Sequence, residues 1–174
     1  TGLTITDGGL IAATNAAPIT TLNLSTSGST VLNTVAMGSL ATLTQSGAGG
    51  VTLTPGSKLA SITTGAGADT LRVSTATLVD NPGTTIVETV NAVVSSAAGN
   101  DRLIIATTGA GTTTVDAGAG DDTLFVSTLS TGQNSLAGGD GNDAFRITAG
   151  SGLIAGLQNV TINGGAGTDT LRVS

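Results

Sequence analysis

Cysteine and histidine are absent from this 174-residue sequence, as are tryptophan and tyrosine, and only two phenylalanines occur. Without cysteine there is no disulfide framework and no thiolate chemistry. Without histidine or cysteine, neither a Ser-His-Asp nor a Cys-His nucleophile can be assembled, and zinc and copper lose their usual ligands. Any core has to be aliphatic, because the large buried areas of aromatic side chains are missing. Charge is scarce as well, at 9% of the chain against about a quarter in typical soluble domains. Eleven acidic residues against five basic ones give a net charge of −6. That balance disfavours nucleic acid and anionic membrane surfaces as partners and favours cations. No apolar run reaches the roughly 20 residues of a membrane-spanning helix, so no membrane insertion is expected. Thr1 to Gly9 reads neither as a signal peptide nor as a translation start. The chain is therefore expected to be a fragment of a longer one or a processed product.

What the sequence does have is glycine, threonine, serine, alanine, valine and leucine. The small and β-branched residues favour pleated, closely stacked strands, and an apolar fraction of 39% argues against a disordered tail. The expectation is a single all-β domain over 1–174.

Four stretches repeat one spacing: Gly65-Ala66-Gly67-Ala68-Asp69-Thr70-Leu71, Gly118-Ala119-Gly120-Asp121-Asp122-Thr123-Leu124, Gly139-Asp140-Gly141-Asn142-Asp143-Ala144-Phe145 and Gly165-Ala166-Gly167-Thr168-Asp169-Thr170-Leu171. A single copy would carry little weight, but four identically spaced copies mark a repeat architecture. Nine residues before them stand weaker copies, with Ile62, Val115, Leu136 and Ile162 in the apolar position, and a further copy nine residues earlier still places Leu53 there. The frame is paired nonapeptides, about eighteen residues per turn. Ala97-Ala98-Gly99-Asn100-Asp101-Arg102-Leu103 is a decayed copy that keeps the Asp and the Leu.

After each strong copy the residues alternate, as in Leu71, Arg72, Val73, Ser74, which predicts a strand with Leu and Val inward. Arg72, Arg146 and Arg172 then share an outward column with Phe125, read as a solvated face or as a lattice contact. Residues 1–45 lack the motif but keep strand alternation in Leu3-Thr4-Ile5 and Leu22-Asn23-Leu24, and are expected to be calcium-poor coils. The repeat region, 46–174, is interrupted at about 75–107, with a turn at Asp80-Asn81-Pro82-Gly83 and a strand expected over Thr85 to Val94.

A loop that turns sharply and points several carbonyls at one ion needs residues that tolerate positive φ, which alternating glycine supplies. Aspartate adds charge. Calcium takes six to eight oxygen ligands in flexible geometry, which suits carbonyls and carboxylates from adjacent coils better than magnesium would. The candidate metal residues are Asp69, Asp101, Asp122, Asp143 and Asp169, with Gly65, Gly67, Gly118, Gly120, Gly139, Gly141, Gly165 and Gly167 shaping the loops. Asp121, Asp140 and Asn142 lie inside the loops but off the main ligand position. The competing reading is a metal-free solenoid in which these residues only make hydrogen-bonded turns. That reading is preferred for Asp7, Asp80 and Asp116, which lie outside the motif position.

These loops resemble the RTX, or haemolysin-type, calcium-binding nonapeptide G-G-x-G-x-D-x-U-x. The copies at Gly138 and Gly164 carry both leading glycines, while those at Thr64 and Ala117 lose the first. The resemblance implies a right-handed parallel β-roll or β-helix solenoid, with six residues of each nonapeptide as metal loop and three as strand. It further implies that same-side loops are alternate nonapeptides. Asp122, Asp143 and Asp169, with Asp69 and Asp101, are then expected to stack along one edge, while Ser57, Thr113 and Asn134 line a metal-poor opposite edge. Stacked carboxylates without metal would repel, so calcium is expected to couple to folding.

The function expected is that of an extracellular structural protein, such as a segment of a bacterial S-layer, a large adhesin or a matrix fibre at the cell surface. Ile86-Val87-Glu88-Thr89-Val90-Asn91 and Gly156-Leu157-Gln158-Asn159-Val160 are similar to strands of Thr/Ala-rich S-layer proteins. Self-association and a cell-surface polysaccharide are the partners such a role implies besides calcium. The alternatives are a calcium-binding RTX module of a secreted enzyme or adhesin and, from strings such as Thr42-Leu43-Thr44, ice binding. No catalysis is expected within the chain.

Overall fold

The computed structural model describes residues 2–6, 10–12, 19–56, 58–75, 79–80, 84–85, 91–107, 109–148 and 158–174. Strands alternate between two parallel sheets of eight strands each, so that one strand from each sheet makes a coil. The coils are β1 (Gly2–Thr6) with β2 (Leu10–Ala12), β3 (Thr21–Ser25) with β4 (Thr30–Asn33), β5 (Thr42–Ser46) with β6 (Val51–Thr54), and β7 (Ser61–Thr64) with β8 (Thr70–Thr75). After a small hairpin of β9 (Val79–Asp80) and β10 (Thr84–Thr85) come β11 (Ala92–Ser96) with β12 (Arg102–Thr107) and β13 (Thr113–Ala119) with β14 (Thr123–Thr128). The seventh coil is β15 (Asn134–Asp140) with β16 (Ala144–Ile147), and the eighth is β17 (Val160–Ala166) with β18 (Thr170–Val173). This is the all-β solenoid that the paired nonapeptides foretell.

The core follows from period-two alternation, with every second residue turned inward. Leu43, Ile62, Val94, Val115 and Leu136 stack in register in the first sheet, and Leu53, Leu71, Leu103, Leu124 and Phe145 in the second, all buried. One phenylalanine among aliphatic layers satisfies the expectation of an aliphatic core. Each fully buried leucine contributes about 1.5–3 kcal/mol by leaving water. Arg72, Phe125, Arg146 and Arg172 do fall in one outward column, with Ile104 between the first two.

The repeat length differs from the expected eighteen residues. That step occurs between Val51 and Asp69, but the later steps are 21 residues from Asp101 to Asp122 and from Asp122 to Asp143. The motif side keeps the nonapeptide spacing, as in Val115 to Leu124 and Leu136 to Phe145. The extra residues fall on the opposite edge, where buried Leu40, Leu59 and Leu129 fill the corner. The interruption is also shorter than 75–107, because β11 and β12 are already in frame. Of the strand expected over Thr85 to Val94, Thr85 closes the hairpin and Ala92 opens β11, while 86–90 lie outside the described residues. The same holds for Asn81, Pro82 and Gly83 of the expected turn, which β9 and β10 flank.

If stacked leucines hold the coils together, Leu124→Ala should cost about 2–5 kcal/mol in chemical denaturation. Leu171→Ala in the last coil, at a side chain 56% exposed, should cost much less.

Candidate metal centre: a row of aspartates along one edge

Every motif copy lies in a loop that carries the chain from the first sheet to the second, and these loops stack along one edge. Asp69, Asp101, Asp122, Asp143 and Asp169 form a single row in chain order. The backbone N–H of each donates to the next one's Oδ1: Asp69 to Asp101 (2.7 Å), Asp101 to Asp122 (2.7 Å), Asp122 to Asp143 (2.9 Å) and Asp143 to Asp169 (2.9 Å). The row begins where Val51 N–H donates to Asp69 Oδ1 (2.6 Å). Each Asp carbonyl in turn accepts from the residue after the next Asp, as Asp101 does from Thr123 (2.9 Å) and Asp122 from Ala144 (2.9 Å).

Glycine is required because the loops touch. Gly139 and Gly141 have φ of 114° and 138°, a region costly for other residues. A Cβ at either, or at Gly65, Gly67, Gly118, Gly120, Gly165 or Gly167, would overlap backbone of the preceding coil. Backbone bonds zip the loops together: Gly99 N–H to Ala119 O (2.8 Å), Gly120 to Asp140 O (2.7 Å) and Gly141 to Ala166 O (2.8 Å).

The leading glycines have a different reason. A Cβ on Gly138 would overlap Asp143 Oδ2, and one on Gly164 would overlap Asp169 Oδ2, so these positions are kept open for a carboxylate oxygen.

Those Oδ2 atoms are the electrostatic centre of the edge. Asp69, Asp101, Asp122 and Asp143 are buried, and the Oδ2 of each has no hydrogen-bond partner. Burial pushes Asp69 from 3.8 to about 6. The Thr64 hydroxyl and the Val51 N–H hold it back, and the Asp101 charge raises it further. Asp122 is pushed to about 7, chiefly by burial, with the Asp101 N–H opposing and the Asp101, Asp143 and Asp121 carboxylates adding. Burial likewise raises Asp101 and Asp143.

Four buried acceptors left without donors in one line are expensive unless something positive meets them. Among the described residues no three acidic side chains converge on one point. The arrangement is a row, so an ion between successive loops would draw its remaining ligands from backbone and hydroxyl oxygens. Calcium accepts such a mixed oxygen set. The residues that would hold it are Asp69, Asp101, Asp122, Asp143 and Asp169 through Oδ2.

Two further oxygens join the row. Thr64 and Ser96 stand where Gly138 and Gly164 stand in later coils, and their hydroxyls favour the Asp69 and Asp101 carboxylates. Ser96 also donates to Ala117 O (3.0 Å), whereas the buried Thr64 hydroxyl serves the Asp69 carboxylate. Loss of the leading glycine to a hydroxyl residue was their only signal.

Other candidates sit farther out. Asn100 Oδ1 accepts from Asp121 N–H (3.0 Å), Asp121 Oδ1 from Asn142 N–H (2.8 Å), and Asn142 Oδ1 from Thr168 N–H (2.9 Å). Asp121 and Asn142 thus form an exposed outer ladder that caps loop amides. Asp140 is exposed beside them and contributes its backbone carbonyl to Gly120.

The opposite edge is satisfied from within. Asn134, buried, donates through Nδ2 to Ser130 O (2.8 Å) and Gly132 O (2.9 Å), and its Oδ1 accepts from Ser130 Oγ (2.8 Å) and Thr113 N–H (3.1 Å). The Thr113 hydroxyl pairs with that of Thr107 (2.7 Å). Among the described residues of that edge no buried side-chain oxygen lacks a partner; Ser57 and Asp7 lie outside the described residues.

A raised folded-state pKa means that the folded chain holds protons the unfolded chain has released. Without metal, that contribution to stability is complete below pH about 4 and is lost as pH rises through about 6 for Asp69 and about 7 for Asp122. Calorimetry in chelator should therefore give a higher Tm at pH 5 than at pH 8. Asp143→Asn keeps an oxygen for the Asp122 N–H but removes a charge. It should raise Tm in chelator and shrink the further rise caused by calcium, whereas Asp116→Asn, exposed on the first sheet, should change neither.

A family model described as the RTX calcium-binding nonapeptide repeat (4 copies) matches residues 107–126, 129–152 and 153–173. No curated protein and no solved structure matches the chain. The matched residues contain the loops of Asp122, Asp143 and Asp169, and the row continues in register through Asp101 to Asp69. Residues 107–173 carry RTX calcium-binding nonapeptide repeats, and calcium is the ion such repeats bind.

Proposed function

We propose that the chain is an extracellular, calcium-dependent structural segment of a bacterial S-layer or another surface or matrix fibre, that it self-assembles, and that it catalyses nothing. The observation that carries this reading is the row of buried Asp oxygens without partners, which makes calcium part of the architecture rather than part of a reaction. RTX repeats are typical of secreted proteins, where calcium is plentiful. A chain without histidine or cysteine also has few routes to nucleophilic or acid-base chemistry.

One surface supports this role: the outer face of the second sheet, which holds Arg72, Arg102, Arg146 and Arg172, four of the five basic residues of an acidic chain. The guanidinium groups of Arg102 and Arg146 lie 4.5 and 5.5 Å from the Phe125 ring centre. A positive, partly aromatic stripe on a negative body suits an anionic surface polysaccharide.

The alternative role, a module beside a secreted catalytic or adhesive domain, uses the same calcium edge and differs in what adjoins the chain. Ice binding has less support. The outward column containing Thr44 and Thr63 continues as Asn23 on one side and Ser95 and Asp116 on the other, not as a threonine array.

Sedimentation velocity with calcium and with chelator tests the proposal. Large assemblies are expected in calcium alone and should be reduced by Arg146→Glu with Arg172→Glu. A monomer under both conditions contradicts self-assembly.

A further inference from the structure

The third coil has a calcium-type loop without its aspartate. Gly47, Gly49 and Gly50 repeat the glycine pattern, and Cβ atoms on Gly65 and Gly67 would overlap this loop as they would in a true copy. Thr52 pairs with Thr70, so Val51, fully buried, occupies the position of Asp69. The register of β5 on β7 places Gln45 beside Thr64, at the position of the leading glycine.

Gln45 does not point away. It is buried, and its Nε2 donates to Ser46 O (3.1 Å), Gly49 O (3.0 Å) and Thr26 Oγ1 (2.8 Å), while its Oε1 accepts from Gly65 N–H (2.6 Å). Three oxygens thus surround a nitrogen that has two hydrogens, two of them loop carbonyls of the coil itself. The carboxamide also ties three successive loops together, through Thr26 of the second coil, Ser46 and Gly49 of the third and Gly65 of the fourth.

We propose that this loop is a converted calcium site in which the Gln45 carboxamide replaces the ion, so that the calcium row ends at Asp69. An amide nitrogen offers inward carbonyls a partial positive charge, yet it is neutral and needs no counter-charge. An aspartate at 51 would then be one more buried carboxylate without a partner, and Val51 removes it. Asn134 follows the same rule on the opposite edge, where its amide nitrogen takes the carbonyls of Ser130 and Gly132. The chain satisfies inward loop oxygens with calcium where aspartate is present and with a side-chain amide where it is absent.

The inference rests on the calcium reading of the row, and one set of titrations separates the two. Calcium stoichiometry is measured by isothermal titration calorimetry and native mass spectrometry on the whole chain. Replacing residues 45–51 by the sequence of 64–69 restores both the spacing and the aspartate, and should add one calcium ion. In the reverse change, Thr64→Gln with Asp69→Val moves the terminator one coil along and should remove one ion while leaving the strand signal in circular dichroism intact. Wild type that binds no calcium overturns the calcium reading itself. Wild type that binds calcium, with neither variant changing the stoichiometry, overturns the role of Gln45. Should the graft fail to fold, the reverse variant decides alone: an unchanged count or loss of all calcium contradicts the proposal.

Discussion

Burial of a row of carboxylates, compounded by their mutual repulsion, is the constraint on which the rest of this structure depends. Stacked coils bring Asp69, Asp101, Asp122, Asp143 and Asp169 into one row, and each has its Oδ1 bound to the N–H of the coil before. That bond fixes the carboxylate and orders the loops, but it uses only one oxygen. In Asp69, Asp101, Asp122 and Asp143 the other is buried without a partner beside neighbours of the same sign. Protons can neutralise it in acid. At neutral pH a calcium ion bound by the repeats would do so.

The remaining features follow from that need. Glycine is placed where loops must touch or where the carboxylate must fold back over its own loop, at Gly138 and Gly164. Among the described coils length varies on the opposite edge, where the Asn134 and Thr113 network is complete in itself. Steps of 32 and 26 residues, from Asp69 to Asp101 and from Asp143 to Asp169, therefore leave the row in register. The aliphatic layers between the sheets supply stability without regard to the ion, while the parallel backbone ladders set the coil spacing at which the carboxylates meet.

Much of this was legible in the sequence because the repeat speaks through glycine, aspartate and leucine at fixed spacing. The inward Leu71, Leu124 and Phe145 follow from that spacing, and the row along a single edge from the resemblance to the RTX nonapeptide. The turn length did not, because the weaker nonapeptides vary on the edge where no ligand fixes their length. Gln45 and Val51 were invisible as site residues, since an amide standing in for an ion has no motif, and only the three oxygens around Nε2 show what it does. The hydroxyls of Thr64 and Ser96 were missed for a related reason: a lost glycine reads as decay until the side chain is seen against the carboxylate. Asp121 and Asn142 carried the opposite ambiguity, for their place in the motif says metal and their side chains cap exposed backbone amides.

The most direct test is thermal unfolding at neutral pH, followed by far-UV circular dichroism in chelator, in magnesium and in rising calcium. The account predicts that Tm climbs with the logarithm of calcium concentration, as binding to the folded state alone requires, and that magnesium has little effect. Coincident transitions in chelator and in saturating calcium would contradict it.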